Sequence, residues 1–406
     1  MPITDTLRSV LRFRAPELSA TGRRLARAAS VADLRALARR RLPRGVFDYI
    51  DGGAEDELAL ARNVAAFQRT EFRPRVLRDV GHTDPSTTLL GHPLPLPLVL
   101  APTGFTRIAT PGGELDVARA AGRAGLPYTL STLSTRSIEE VAAAGAGPKW
   151  FQVYVWRDRG LVKEMLSRAA GAGYQAIVLT VDTAVLGRRE RDVRRGFTLP
   201  PQIGLGTLID GLLHPGWTWR FVRAEPITFA NVVGTGAPDG TTAASLADYI
   251  NSQFDPSLSW RDLDWFRSEW DGPIVLKGVQ TVEDARLAAD AGIEAVALSN
   301  HGGRQLDGAP AIVELVEPVA QAVGDRTEII CDGGVRRGSD IVKAVALGAR
   351  ACMAGRAYLY GLGAAGEAGV SHVLGLLDAD VRRTMALTGC RTVADLHPGL
   401  VHIRTG

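Results

Sequence analysis

Cysteine is scarce in this chain. Cys331, Cys352 and Cys390 are the only three, and no two stand in a CxxC spacing. An odd, unpatterned set excludes a disulfide framework and points to a reducing compartment. Lysine is scarce as well: Lys149, Lys163, Lys277 and Lys343 stand among 47 basic residues, and the rest are arginine. No run reaches the ~18 apolar residues that would span a bilayer. The opening MPITDTLRSVLRFRAP has no apolar core of a signal peptide, so a cytoplasmic location is expected. Positive charge is not clustered either. A net charge of +3 over 406 residues gives no footprint for nucleic acid. No metal-ligand cluster is read from the sequence.

What is present is an ordinary globular balance, 46% hydrophobic and 22% charged. Residues 1–90 read as an N-terminal helical cap. Within them Ser30-Val31-Ala32-Asp33 has the S-x-x-D form of a helix start, and Pro43 ends that helix. Short helices are expected at 45–54 and from 55 to about 67. From Pro95 a rhythm sets in. Short apolar runs lie at 96–101, 128–131, 150–155, 176–181, 274–276, 295–298, 328–331 and 351–354. Amphipathic stretches at 113–124, 137–144, 160–172, 281–291, 310–323 and 339–347 alternate with them. Apolar strands buried on both faces, each followed by a helix, imply a parallel sheet. Eight such units predict an α/β fold, a (β/α)₈ TIM barrel over 91–396, with 397–406 as a C-terminal tail. An open doubly wound sheet would call for a GxGxxG after its first strand, and there is none.

One connection breaks the rhythm. A long loop, 187–270, separates the fourth run from the fifth, far beyond the ~2–6 residues of an ordinary βα loop. Its segment 203–225, IGLGTLIDGLLHPGWTWRFVRAE, mixes leucine, tryptophan and arginine. That mixture suits a membrane surface, a lid or a subunit contact.

In a barrel the C-terminal strand ends form the site. Here they carry Pro102-Thr103-Gly104, Ser131, Gln152 with Tyr154, Thr180 with Asp182, and Lys277. The last three carry Ser299-Asn300-His301-Gly302-Gly303-Arg304, then Asp332-Gly333-Gly334-Val335-Arg336, then Gly355-Arg356. One polar strand end is an ordinary cap; eight are hard to ascribe to packing. The glycine–arginine groups after the last two strands suit a phosphate cradle. Lys277 could set a cation at the far end of the same ligand, which fits flavin mononucleotide (FMN). His301 is a candidate base, with Asp182 placed to orient it. Arg304 and Arg189 suit a carboxylate, and Tyr154 offers a hydroxyl. Together these imply oxidation of a 2-hydroxy acid.

The stretch SNHGGRQLDG, with FDYIDGGAEDE, APTG, FQVYVWRDR, LTVDTAVLGRRERD, LKGV, DGGVRRGSD and AGRAYLYGL in order, resembles the FMN-dependent L-2-hydroxy acid dehydrogenase/oxidase family. The resemblance runs from about Asp33 to Leu396 and is strongest to the quinone-linked L-lactate dehydrogenases. It implies His301 as the base with Asp182 as partner, and Arg189 and Arg304 as the carboxylate clamp. It implies Tyr49 and Tyr154 at the substrate, and FMN held by the strand-end residues named above, Lys277 included. Gly104 and Leu133 stand where other members carry alanine or tryptophan, which leaves room for lactate or a larger acid such as mandelate. The implied reaction is L-lactate to pyruvate, with a quinone as acceptor. The rivals are an oxidase that uses O2 and releases H2O2, and a non-catalytic FMN-binding module. Family likeness also implies a homo-oligomer, a tetramer; the leucine, tryptophan and arginine pattern of 203–225 suggests peripheral attachment to the inner face of the cell membrane.

Overall fold

The computed structural model describes residues 17, 19–196, 204–232 and 252–404. Its centre is a closed barrel of eight parallel strands. These are β1 (Leu98–Leu100), β2 (Tyr128–Ser131), β3 (Lys149–Tyr154), β4 (Ala176–Thr180), β5 (Ile274–Val279), β6 (Ala295–Ser299), β7 (Glu328–Asp332) and β8 (Ala351–Ala354). Each pairs with the next, and β8 returns to β1. The chain is a (β/α)₈ barrel, as the alternation of apolar runs and amphipathic stretches predicts. Strands buried on both faces need apolar side chains inside and out, which is why they read as continuous runs.

The register decides what the strand ends become. Ser131 pairs with Gln152, Tyr154 with Thr180, Thr180 with Lys277, and Ser299 with Asp332. Polar residues that end each run therefore stand side by side around one rim. A bulge between Lys277 and Val279 interrupts the ladder there. Gly278 sits in it at φ +113°, and a Cβ on it would lie 2.8 Å from the Asp182 Cβ, so only glycine leaves Asp182 its place.

The opposite end is plugged. A hairpin of Thr87–Leu89 and His92–Leu94 sends Leu89 and Leu94 among Val99, Trp150, Val275 and Ile330 inside the barrel. The Leu90 amide donates to the Glu328 carboxylate at 2.6 Å. Apolar side chains fill this end, whereas the polar strand ends gather at the other rim.

The N-terminal helices run Val31–Arg41, Arg44–Asp51 and Leu58–Arg69. Ser30 caps the first by accepting from the Asp33 amide, the arrangement its S-x-x-D start predicts. The second carries Tyr49 to the site. Two helices, Arg356–Ala365 and Glu367–Thr388, follow β8 and are hinged at Gly366, φ +63°. Gly363 lets the first of them approach the cap: a Cβ there would lie 2.8 Å from Leu42.

Two expectations are revised. The connection at 187–270 is not all loop. Among its described residues are helices Glu190–Arg194, Leu205–Leu213, Pro215–Arg223 and Asp262–Glu269. They are short because glycine and proline punctuate them: Gly204 precedes one and Pro215 begins the next. Nor do the last residues hang free as a tail. Val401–Ile403 pairs antiparallel with Thr70–Phe72, and Val401 is buried. Backbone pairing recovers hydrogen bonds that a short polar sequence does not advertise.

Candidate functional site

The polar rim surrounds a cavity of about 410 Å³. Pro102, Thr103 and Gly104 line it from β1, Gln152 and Tyr154 from β3, and Thr180 and Lys277 from β4 and β5. His301 and Arg304 line it after β6, Asp332 to Arg336 after β7, and Gly355 with Arg356 after β8. Tyr49 and Arg189 enter from the cap and the long connection. Ser131, Asp182 and Ser299 stand one layer behind, each bonded to a lining residue.

His301 follows β6 in the left-handed region, φ +56°, a conformation that costs a residue with a Cβ about 1–2 kcal/mol. Ser299 Oγ accepts the His301 amide at 3.0 Å and holds the turn. The His301 Nδ1 lies 2.9 Å from Asp182 Oδ1, which leaves Nε2 for a ligand. Asp182 is nearly sealed. Burial pushes its carboxyl up, but the neighbouring His301 and the Lys277 charge outweigh that and hold it below the usual carboxylate range. Gln305 Nε2 donates to the Asp182 carbonyl at 2.8 Å and fixes this segment from the other side.

Lys277 is the cation of the neighbouring strand, β5. It is 4% exposed, donates to Ser299 Oγ at 3.0 Å and meets Asp332 Oδ2 at 2.8 Å. Burial alone would lower its pKa; Asp332 and Asp182 reverse that and raise it, so the ammonium stays charged. Ser299 donates in turn to Asp332 at 2.8 Å, which makes one hydroxyl the joint between lysine, aspartate and the histidine turn. Next to it, Gln152 Nε2 donates to Thr180 Oγ1 at 3.0 Å and its Oε1 accepts from Ser131 at 3.0 Å.

A second cationic centre surrounds Tyr49. The guanidinium carbons of Arg304 and Arg189 lie 5.1 and 5.6 Å from its ring centre. Arg304 donates to the Tyr49 and Gly52 carbonyls at 2.8 and 3.1 Å. Burial, then the nearby Arg189 charge, lowers the Arg304 pKa. Arg189 rests against Asp192 at 3.3 Å, a residue that the sequence did not single out. Two guanidiniums this close repel one another unless an anion joins them, which is the condition a carboxylate ligand satisfies.

The glycine cradle is equally specific. Gly334 has φ +85°, and a Cβ on it would lie 2.3 Å from the Asn63 carbonyl oxygen. Asn63 and Asn300 exchange amide hydrogen bonds at 2.8 and 3.0 Å and lock the cradle to the β6 turn. Neither asparagine carried a sequence signal beyond Asn300 lying beside His301. Arg356 lines the cavity beside Gly355. Its guanidinium donates to the Ile50, Gly302 and Gly52 carbonyls at 3.2, 2.8 and 2.6 Å. Burial, then Arg304, lowers its pKa to about 10. Its side chain ties the surrounding loops together, and it stands at the start of helix Arg356–Ala365 on the rim of the cavity. Arg336 lies over the Tyr360 ring at 5.9 Å. Phe105, Phe229, Phe254 and Leu133 complete an apolar wall, and of these only Leu133 was legible beforehand.

A buried paired lysine, a glycine cradle and a helix N-terminus on one wall fit a phosphate-bearing flavin. Comparison with known proteins agrees. The chain is 47% identical over 372 residues to the L-lactate dehydrogenase of Caulobacter vibrioides, covering 91% of this chain and 96% of that protein. It is 42% identical over 371 residues to the L-lactate oxidase of a Nostoc species, covering 90% and 96%. Among solved structures it superposes on the monotopic membrane protein (S)-mandelate dehydrogenase with a TM-score of 0.90. That match is at 41% identity over 93% of this chain and 100% of the other. The model of the FMN-dependent dehydrogenases matches residues 38–403, and the chain belongs to that family.

Proposed function

We propose that the chain oxidises an L-2-hydroxy acid to the 2-oxo acid, L-lactate to pyruvate first among them, and passes the electrons to a quinone. The observation that carries this reading is the His301–Asp182 pair opening on the same cavity as Arg189 and Arg304. Arg189, Arg304 and Tyr49 hold the substrate carboxylate. His301 Nε2 takes the proton released from the substrate, and Asp182 stabilises the imidazolium that results. FMN, when bound, supplies the two-electron acceptor. Pro102 to Gly104, Gln152, Thr180, Gly333 to Arg336 and the 355–356 helix start would hold it, with Ser131 and Ser299 in support. Lys277 would offset negative charge on the reduced ring. Anaerobic L-lactate is expected to bleach the yellow of the purified protein, and D-lactate to leave it. If no member of a panel of L-2-hydroxy acids bleaches it, the reading falls. Oxygen uptake measured beside quinone reduction separates the oxidase from the dehydrogenase.

A larger acid is a second reading, favoured by the apolar wall. Gly104 abuts Leu133, so that an alanine Cβ at 104 would come within 3.1 Å of it, and Phe229 and Phe254 line the same cavity against Phe105 and Tyr154. Mandelate in the same panel tests this reading.

We also propose peripheral attachment to the inner face of the cell membrane. Among the described residues no helix is long and apolar enough to cross a membrane. Helices Leu205–Leu213 and Pro215–Arg223 nevertheless expose Leu208, Ile209, Leu212, Leu213, Trp219 and Val222, with Leu212 at 77%. Arg223 lies 3.8 Å from the Trp219 ring centre, a cation placed beside an aromatic as at an interface. Replacing 204–225 by a Gly/Ser linker is expected to move the protein from the membrane pellet to the supernatant. Recovery of the unaltered protein wholly in the supernatant would defeat the idea.

A further inference from the structure

A second cavity, about 260 Å³, lies between the loop after β1 and helix Pro215–Arg223. Ala109 and Pro111 form one side; Trp217, Phe221, Val222 and Ile227 form the other. Helix and loop are tied together. Trp217 Nε1 donates to the Ile108 carbonyl at 2.9 Å, and Arg107 donates to the Glu225 and Pro226 carbonyls at 2.6 and 3.3 Å. Ala109 lines this cavity and the active-site cavity as well, so one turn of chain separates the two.

We infer that this second cavity is the docking site of a lipid-soluble quinone, the acceptor of the electrons released at the first. The inference rests on the dehydrogenase reading above. Four features favour a quinone head. The volume falls just below the ~300–1,000 Å³ of ordinary ligand pockets, enough for one substituted ring with its tail outside. Trp217 and Phe221, both in the lining, stack on each other at 4.6 Å and 15°, so part of the cavity wall is aromatic. Arg107 lines the cavity at 4% exposure, and its Nε–H has no acceptor among the described residues. A quinone offers carbonyl acceptors to a cation in the wall; a lipid acyl chain offers none. Finally, Val222 at the cavity is 72% exposed, and Leu212 and Leu213 on the preceding helix are 77% and 71% exposed, apolar surface for an isoprenoid tail. The electron balance is complete. The 2-hydroxy acid loses two electrons and two protons to become the 2-oxo acid, and the quinone gains two of each to become the quinol.

Two measurements on the holoenzyme test this. A short-tailed azido-quinone, photolysed and mapped by peptide mass spectrometry, is expected to label 107–111 or 215–227, and unlabelled short-chain quinone to compete it away. Val222→Trp and Ile227→Trp, which fill the cavity, are expected to raise the quinone KM about tenfold each. FMN reduction by the hydroxy acid and turnover with ferricyanide should stay as in the unaltered enzyme. Label confined elsewhere, label competed only by detergent, or unchanged quinone kinetics in both variants overturns the assignment. Failure of the hydroxy acid to reduce the flavin condemns the dehydrogenase reading instead, and the photolabel still reads the cavity.

Discussion

His301→Gln is expected to lower kcat by about 10²–10⁴-fold, the span that a positioned general base contributes. Glutamine can keep a hydrogen bond to Asp182, which His301 meets at 2.9 Å, but it cannot take a proton. The fold should survive. The strain of φ +56° is already present with histidine, and Ser299 Oγ still accepts the amide at 3.0 Å. Stopped-flow reduction of FMN by L-lactate reads the chemical step, and the visible spectrum reports that the cofactor stays bound. A rate like that of the unaltered protein would remove His301 from its role. Asp182→Asn is a sharper control, because the carboxylate fixes which imidazole nitrogen carries the proton. Asp182 is held ionised, below the usual carboxylate range, by His301 and Lys277 against its own burial. Its help to the base is therefore present above that lowered pKa and is lost as pH falls through it.

Lys277→Met should be the most damaging change on the neighbouring strand, β5. Methionine reproduces the unbranched apolar stem of lysine and lacks only the terminal ammonium, so packing changes little. The charge does change: Asp332 loses its 2.8 Å partner in a site where the lysine is 4% exposed. Removing one partner of a buried pair costs about 3–5 kcal/mol, since the other charge is left uncompensated. Urea unfolding of the FMN-free protein measures that loss, and flavin reduction measures the electrostatic role separately. The double variant Lys277→Met/Asp332→Asn distinguishes the two. It should recover much of the stability, because no unpaired charge remains, while the reduction rate stays low. Full stability and full rate in Lys277→Met would show that the lysine is neither a structural counter-ion nor an aid to the flavin.

Much of this could be read from the residues in order. The barrel strands are short apolar runs with a polar last residue, and a sheet buried on both faces has no other way to be written. His301, Arg304 and Gln305 lie within one contiguous stretch, so the β6 turn could be recognised before it could be built. Other parts were hidden for physical reasons. Asn63 and Asn300 are 237 residues apart and pair only because the cap folds over the rim. Only the fold shows that the Arg356 guanidinium reaches the Ile50 and Gly52 carbonyls of the cap and the Gly302 carbonyl of the β6 turn. Phe229 and Phe254 belong to a connection without periodicity and gained meaning only by where they came to rest.

The sequence by itself determined the alternation of strand and helix, the residue types at each strand end, and the chemistry those types can perform. These are local properties, set by periodicity, glycine placement and side-chain ionisation. Tertiary structure decided which ends meet. Barrel closure puts Ser299 beside Asp332 and Thr180 beside Lys277, and it leaves room for Asp182 at Gly278. It also brings helix Pro215–Arg223 over the β1 loop, opening a second cavity within one turn of the first. Register and long-range packing depend on every strand at once, so no single segment could announce them.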